Sequence, residues 1–460
     1  MVKNILLVPE LRELLAENNP QNLREFCESS HPADIAEFLS ALEPDEIGRV
    51  LSCADPRIRV AIFPYFDIDV QLGLAERMRR AELVELVSNM SSDERVDFIK
   101  KLPEEEIQLL MPGIAQAERE DIRKLASHPE GTAGAVMSSD YATLSAGLTV
   151  QEAIEKLRLE APDKETIYYA YVIDDQRKLI GIVSLKDLIL ARPNQRMADI
   201  MHPEPIYARV DEDQEEVARK IAKYDLIAIP VINGGGGLVG IVTHDDAMDI
   251  LRVEQTEDLE KFMGLTGAVR EEDYLSVPIF THYRRRVIWL ATLAMLELIS
   301  GTILHVYEHV LTSVFILALY MPMLAGSGGN SGSQSATVVV RALALQQVRS
   351  GDVLRVLWRE LRVGLLLSMT LMLVSTGRII LLGRETALLG GFSLSHIGAV
   401  VATALGLQVV SSTLFGSLLP LIAAKVKLDP AVVASPLLAS MVDITGLLIY
   451  FNTARLMLGV

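Results

Sequence analysis

Cysteine is nearly absent: Cys27 and Cys53 are the two in 460 residues, without ligand spacing and without partner pairs. That excludes a disulfide framework and a thiolate metal site, and the expectation is a reducing compartment with inert thiols. No leader-like stretch opens the sequence. The apolar run at 5–8 is short and Pro9 and Glu10 follow it, so the first part is expected to stay where it is made. Positive charge is scarce in residues 1–283, which carry 53 acidic against 30 basic residues, a net of −23. Negative charge is scarce in 284–460, with 7 acidic against 13 basic residues and a net of +6. The acidic part disfavours nucleic acid as a partner and favours cations. The apolar second part pairs no base with a nucleophile and the first part reveals no convergent polar pocket in sequence, so a catalytic site has no support.

What is present after residue 286 is long apolar runs. Crossing a hydrocarbon layer of ~30 Å takes about 20 helical residues. Five stretches qualify, at 287–304, 310–345 (broken by glycines), 363–382, 397–422 and 431–457. An odd number puts the termini on opposite sides of the lipid bilayer. With the N-terminus inside, inner positions collect Arg284, Arg285, Arg286, Arg341, Arg349, Arg355, Arg359, Arg362, Lys425 and Lys427. Outer positions collect Arg378, Arg384 and Arg455, so the acidic part faces the cytosol and the C-terminus lies outside.

Polar residues interrupt these spans. Asp443 sits mid-way along the fifth, where a carboxylate costs about 2.5–3.5 kcal/mol and so should meet water or a partner. Glu297 invites the same argument in the first span. In the second, Asn330 and Gln334 are amides four apart and share a face if the helix is continuous. Gly328 and Gly329 offer a break that would expose carbonyl oxygens to a hard cation, with close helix packing as the plainer alternative.

A repeat with an offset of 59 residues runs through 137–250. The stretch from Tyr171 through Gly181 and Ser184 to Asp187 returns from Pro230 through Gly240 and Thr243 to Asp246. Met137 and Met201 open the two copies. Each reads as a β-hairpin leading into a helix capped by Ser or Thr with Asp three residues on. This pattern resembles the CBS domain. In that family these positions can hold the ribose of an adenine nucleotide such as ATP, which here implies Ser184, Asp187, Thr243 and Asp246; helix capping is the alternative. Gly234 to Gly237 form a hairpin turn and not a phosphate loop. Residues 1–130 read as short helices with Pro or acidic starts, such as Pro32, Pro44, Asp93 and Pro103, stacked as an α-superhelix. A last helix at 253–262 leads to the membrane.

The glycine motif of the second span, Asp443 ahead of Thr445 and Gly446, and a CBS pair before five spans together resemble the MgtE family of magnesium channels. The expected architecture is multidomain: an all-α superhelical domain (1–130), an α/β tandem CBS pair (131–198 and 199–252), a connecting plug helix and linker (253–283), and an α-helical membrane domain of five spans (284–460). The resemblance implies a homodimer in a bacterial inner membrane, with Asp443 of each subunit holding a hydrated Mg²⁺ in the pore. Asn330, Gln334, Ser435 and Thr445 are candidate pore-lining residues. It further implies regulatory Mg²⁺ ligands at Asp93, Asp97, Asp213, Glu215, Asp225, Asp246, Glu254 and Glu257, through which cytosolic Mg²⁺ closes the path. Ser435 and Ser333 stand where an Asn is expected, and Glu297 where no acid is. The alternatives are a broader divalent (Mn²⁺ or Co²⁺) transporter, or a membrane-anchored nucleotide sensor.

Overall fold

The computed structural model describes residues 8–17, 19–265, 277–349, 351–382, 392–430 and 436–459. It forms two compact units, one holding Met1–Glu254 and the other beginning at Gln255 and including the membrane helices.

The first unit opens with short helices whose starts are written in the sequence. Pro20, Pro32, Pro44 and Pro56 occupy the first helical turn, where a missing N–H costs nothing. Before them Asn19, His31 and Asp55 accept backbone N–H groups as N-caps. Helices pack on the second-next helix, as a superhelix requires. The joints carry a device that the sequence did not reveal. Arg59 donates to the carbonyls of Leu51, Ser52 and Ala54. Arg95, 7% exposed, does so to Val87, Ser88 and Met90. Arg119 does so to Met111 and Ile114. In each case an Arg reaches back eight and five residues: the farther carbonyl already accepts a backbone N–H, and the nearer one is of the kind a helix end leaves open.

The α1 helix, Ser92–Lys101, is stitched to the segment after it. Asp140 accepts from the Ser92 N–H at 3.0 Å, and the Ser92 and Ser138 hydroxyls lie 3.0 Å apart in the interior. Two sheets follow: β1 (Tyr141–Ser145), β2 (Thr166–Ile173), β3 (Leu179–Ser184) and β4 (His202–Pro203), then β5 (Ala208–Arg209), β6 (Ala228–Ile232) and β7 (Leu238–Thr243). The repeat is in register, with Val172 opposite Gly181 in one copy and Val231 opposite Gly240 in the other. The two strand glycines have a packing reason. A Cβ on Gly240 would lie 2.5 Å from the Met137 sulfur, and one on Gly181 would lie 2.7 Å from that of Met201. The methionine opening each copy therefore packs on the hairpin of the other. Hairpins lead into α2 (Leu185–Leu190) in the first copy and α4 (His244–Phe262) in the second, with α3 (Gln214–Tyr224) between β5 and β6. The expected helix at 253–262 is thus the second half of one continuous 19-residue helix that starts at the hairpin.

In the second unit α5 (Ile279–Val306), α7 (Val353–Leu382), α8 (Leu394–Lys425) and, from Leu437, α9 (Pro436–Leu458) are long and apolar enough to cross a membrane; among the described residues these are the four. The second expected span differs. Its chain breaks before the glycines, in a short helix at Glu308–Ser313 and a 3-10 stretch at Phe315–Tyr320. It then runs as an unbroken α6, Met321–Ala344, straight through Gly328 and Gly329. The expected break with exposed carbonyls is absent there; Gly328 serves close packing, the alternative noted above, while a Cβ on Gly329 would meet nothing within 4 Å. A Cβ on Gly416 of α8 would come within 2.2 Å of the Gly332 carbonyl oxygen of α6, so the two backbones touch. Ser331 and Ser412 hydroxyls meet at 2.6 Å across this contact, and Ser335 lies 2.8 Å from Glu360 and 2.9 Å from the Thr413 carbonyl.

Candidate metal centre and ion path

Asp443 lies on α9, half-buried, within electrostatic reach of Glu297 on α5. Two like charges at membrane depth draw cations or water toward them. Asn330 and Gln334 share one face of α6, as its unbroken helix requires, and both are exposed. Gly328, Ser331, Gly332 and Ser335 line the buried face, with Gly328 and Gly332 against Val442. The amides therefore lie away from the contact with α9. Thr445 spends its proton inside its own helix, on the carbonyls of Met441 at 2.9 Å and Val442 at 3.2 Å, so only its oxygen lone pairs are offered to a path. Ser435 lies outside the described residues.

The acidic candidates of the first unit divide into those that converge and those that do not. Asp93 and Glu94 in the first turn of α1 face Asp245 and Asp246 in the first turn of α4, with Glu165, just before β2, beside them. Burial, then the charge of Glu94, pushes Asp93 up to about 6. Burial, then Asp93, pushes Asp246 up to about 7 against the hydrogen bond it accepts from the Thr243 hydroxyl at 2.5 Å. Glu165 rises to about 8 through desolvation and the charges of Asp93, Asp246, Glu94 and Asp245, although part of its side chain still reaches water. One oxygen of Asp93, Oδ1, is buried with no hydrogen-bond partner among the described residues. An orphaned carboxylate oxygen among four other acids is suited to a cation and costly without one. Among the described residues no three acidic, His or Cys side chains stand together closely enough to hold a bare metal ion.

Asp97 is exposed one turn beyond Asp93. Asp213 caps α3 by accepting from the Glu215 N–H at 2.9 Å, and Glu215 pairs with Arg219. Asp225 ends α3 in a left-handed conformation at φ 52°. Glu254 accepts from Gln214 at 2.7 Å, and Glu257 pairs with Lys261 at 2.6 Å, which also reaches Asp429 at 3.1 Å. In the first CBS copy Ser184 and Asp187 form a capping box, with the hydroxyl donating to Asp187 at 2.6 Å. The bonds from Ser184 and the nearby His202 outweigh burial and hold the Asp187 carboxyl below its ordinary range. Glu94, Glu165 and Asp245 escaped the sequence reading because only the fold brings them together. Gln408, wholly buried on α8, was also missed, although a polar residue between Leu407 and Val409 signals it.

Comparison with known proteins places the chain in a family. Residues 321–453 match the divalent cation transporter family MgtE, 30–131 its intracellular N domain, and 133–194 and 197–253 the CBS domain. The magnesium transporter MgtE of Thermus thermophilus is 40% identical over 80% of each chain. The chain belongs to the MgtE family. The MgtE of Bacillus subtilis is 33% identical over 84% of this chain and 83% of its own. Among solved structures, the cytosolic domain of the Mg²⁺ channel MgtE in complex with ATP is 36% identical with a TM-score of 0.50, covering 52% of this chain and 98% of that one. The soluble part of a magnesium transporter is 29% identical with a TM-score of 0.51, covering 54% and 97%. MgtE proteins are magnesium transporters and not enzymes, in keeping with the lack of a catalytic constellation in the sequence.

Proposed function

We propose that this MgtE protein is a Mg²⁺-selective channel for uptake into the bacterial cytosol, closed when cytosolic Mg²⁺ binds the acidic interface of its soluble part. It works as a homodimer with five spans per subunit, the N-terminus inside and the C-terminus outside, and the pore between subunits. The observation that carries the gating reading is the unpartnered Asp93 oxygen amid Glu94, Asp245, Asp246 and Glu165. Oxygen donors suit Mg²⁺, which keeps several of its waters and so needs no tight triad of protein ligands. Clustered carboxylates repel until a divalent ion neutralises them, so rising Mg²⁺ favours the compact arrangement. Asp97, Asp213, Glu215, Asp225, Glu254 and Glu257 would add to this module. The exposed amides of α6 and the half-buried Asp443 support a wet path, since neither belongs in lipid.

The test is Mg²⁺ uptake into proteoliposomes holding a Mg²⁺-sensitive dye, comparing the native chain with Asp443→Ala. Uptake that the substitution abolishes supports the reading; equal uptake by both removes Asp443 from the path. Parallel uptake of Mn²⁺ and Co²⁺ distinguishes strict from broad selectivity. The ATP-bound relative favours a second property, an adenine nucleotide at the CBS pair near Ser184, Asp187, Thr243 and Asp246. Calorimetric titration of ATP with and without Mg²⁺ tests it, and heat unaltered by Thr243→Val would move the site elsewhere.

A further inference from the structure

We propose that Gln408 is a positioning residue for the ion path, fixing the turn of α9 that carries Asp443 and tuning how tightly that carboxylate holds a divalent cation. The inference rests on the role given to Asp443 above. Gln408 sits mid-way along α8 with no exposed surface, and its Nε2 donates to the Val442 carbonyl at 2.8 Å. Val442 immediately precedes Asp443. The same carbonyl accepts the Thr445 hydroxyl at 3.2 Å. A helix carbonyl that takes side-chain donors is drawn away from its own ladder, so the turn from Val442 to Gly446 is shaped by its neighbours as well as by its backbone.

The amide has little freedom to leave. A Cβ on Gly328 of α6 or on Gly446 of α9 would lie 2.4 Å from Nε2, so the side chain is threaded between two glycines and ties three helices together beside Asp443. Reversing the amide would set two acceptors against each other at Val442, which fixes its orientation. In that orientation Oε1 is buried with no partner among the described residues. An apolar side chain of equal length would fill the space without leaving an acceptor unpaired. A residue kept for packing alone has no reason to carry that cost; one kept to hold a carbonyl does.

The experiment compares the native chain with Gln408→Met and Gln408→Leu in the proteoliposome assay, reading half-saturating Mg²⁺, maximal rate per folded protein, and melting temperature. Loss of one hydrogen bond to the Asp443 turn is expected to shift half-saturation by about two- to tenfold, with melting temperature kept or raised. A packing role would instead lower the melting temperature or the folded yield and leave half-saturation where it was. Unshifted half-saturation in folded variants overturns the proposal, as does failure of both variants to fold. Absence of uptake by the native chain overturns the transport reading and this inference with it, whereas native uptake with unshifted variants overturns this inference alone.

Discussion

At the scale of single residues, the membrane part depends on a few polar side chains placed where lipid would reject them. Asp443 and Glu297 both stand out in the sequence as carboxylates inside apolar runs, for which a structural hydrogen bond to a neighbouring helix is the plainer alternative. Their proximity was not legible, since it depends on how α5 meets α9. Two carboxylates within reach of each other deepen the local negative potential, and removing one charge weakens cation attraction. Glu297→Gln is therefore expected to raise half-saturating Mg²⁺ several-fold while leaving folding intact, read from the concentration dependence of uptake. A lowered value would mean that Glu297 repels Asp443 more than it attracts the ion.

At the scale of elements, helix starts and hairpins were legible because proline, capping residues and the 59-residue repeat act locally. The unbroken course of α6 was not, because glycine weakens a helix in isolation and only the fold supplies the tertiary contacts that offset it at Gly328 and Gly332. Here α8 packs against α6 so closely that only glycine fits. Gly416→Ala would drive a methyl group into the Gly332 carbonyl, which is backbone and not the far end of a flexible side chain. Overpacking of this kind costs about 1–3 kcal/mol or more. The expected outcome is loss of the monodisperse peak in gel filtration. In the soluble part, Arg95→Met keeps the length of the side chain, leaves the Val87 carbonyl with the Met90 N–H alone and strands the Met90 carbonyl in the interior. Each unsatisfied group costs about 1–3 kcal/mol, so thermal unfolding should begin well below that of the native chain.

For the molecule as a whole, the charge split between its two parts was plain from composition, although solubility alone would account for the acidity of the first. Which acids converge was hidden, because Asp93, Glu165 and Asp246 come from separate elements. Their raised values give the pH dependence its sign. The compact form holds protons that the unfolded chain has released, so its stability is full below the ordinary carboxylate range, about pH 4. It is lost as pH rises through about 6, 7 and 8. Without Mg²⁺, the melting temperature of the full chain in detergent should fall between pH 5 and pH 8; with saturating Mg²⁺ the fall should shrink, since the ion replaces the protons. Asp93→Asn with Asp246→Asn should flatten the slope, and an unchanged slope would place its source elsewhere.

The arginine clasps at Arg59, Arg95 and Arg119 carry a different kind of consequence. Each joint makes the same reach, eight and five residues back, from one helix to the end of the element before it. Such a domain is spelled in helix pairs and not in letters. A pair with its clasp can be gained or lost during evolution while every remaining joint stays whole, so length differences in this domain should come in whole pairs.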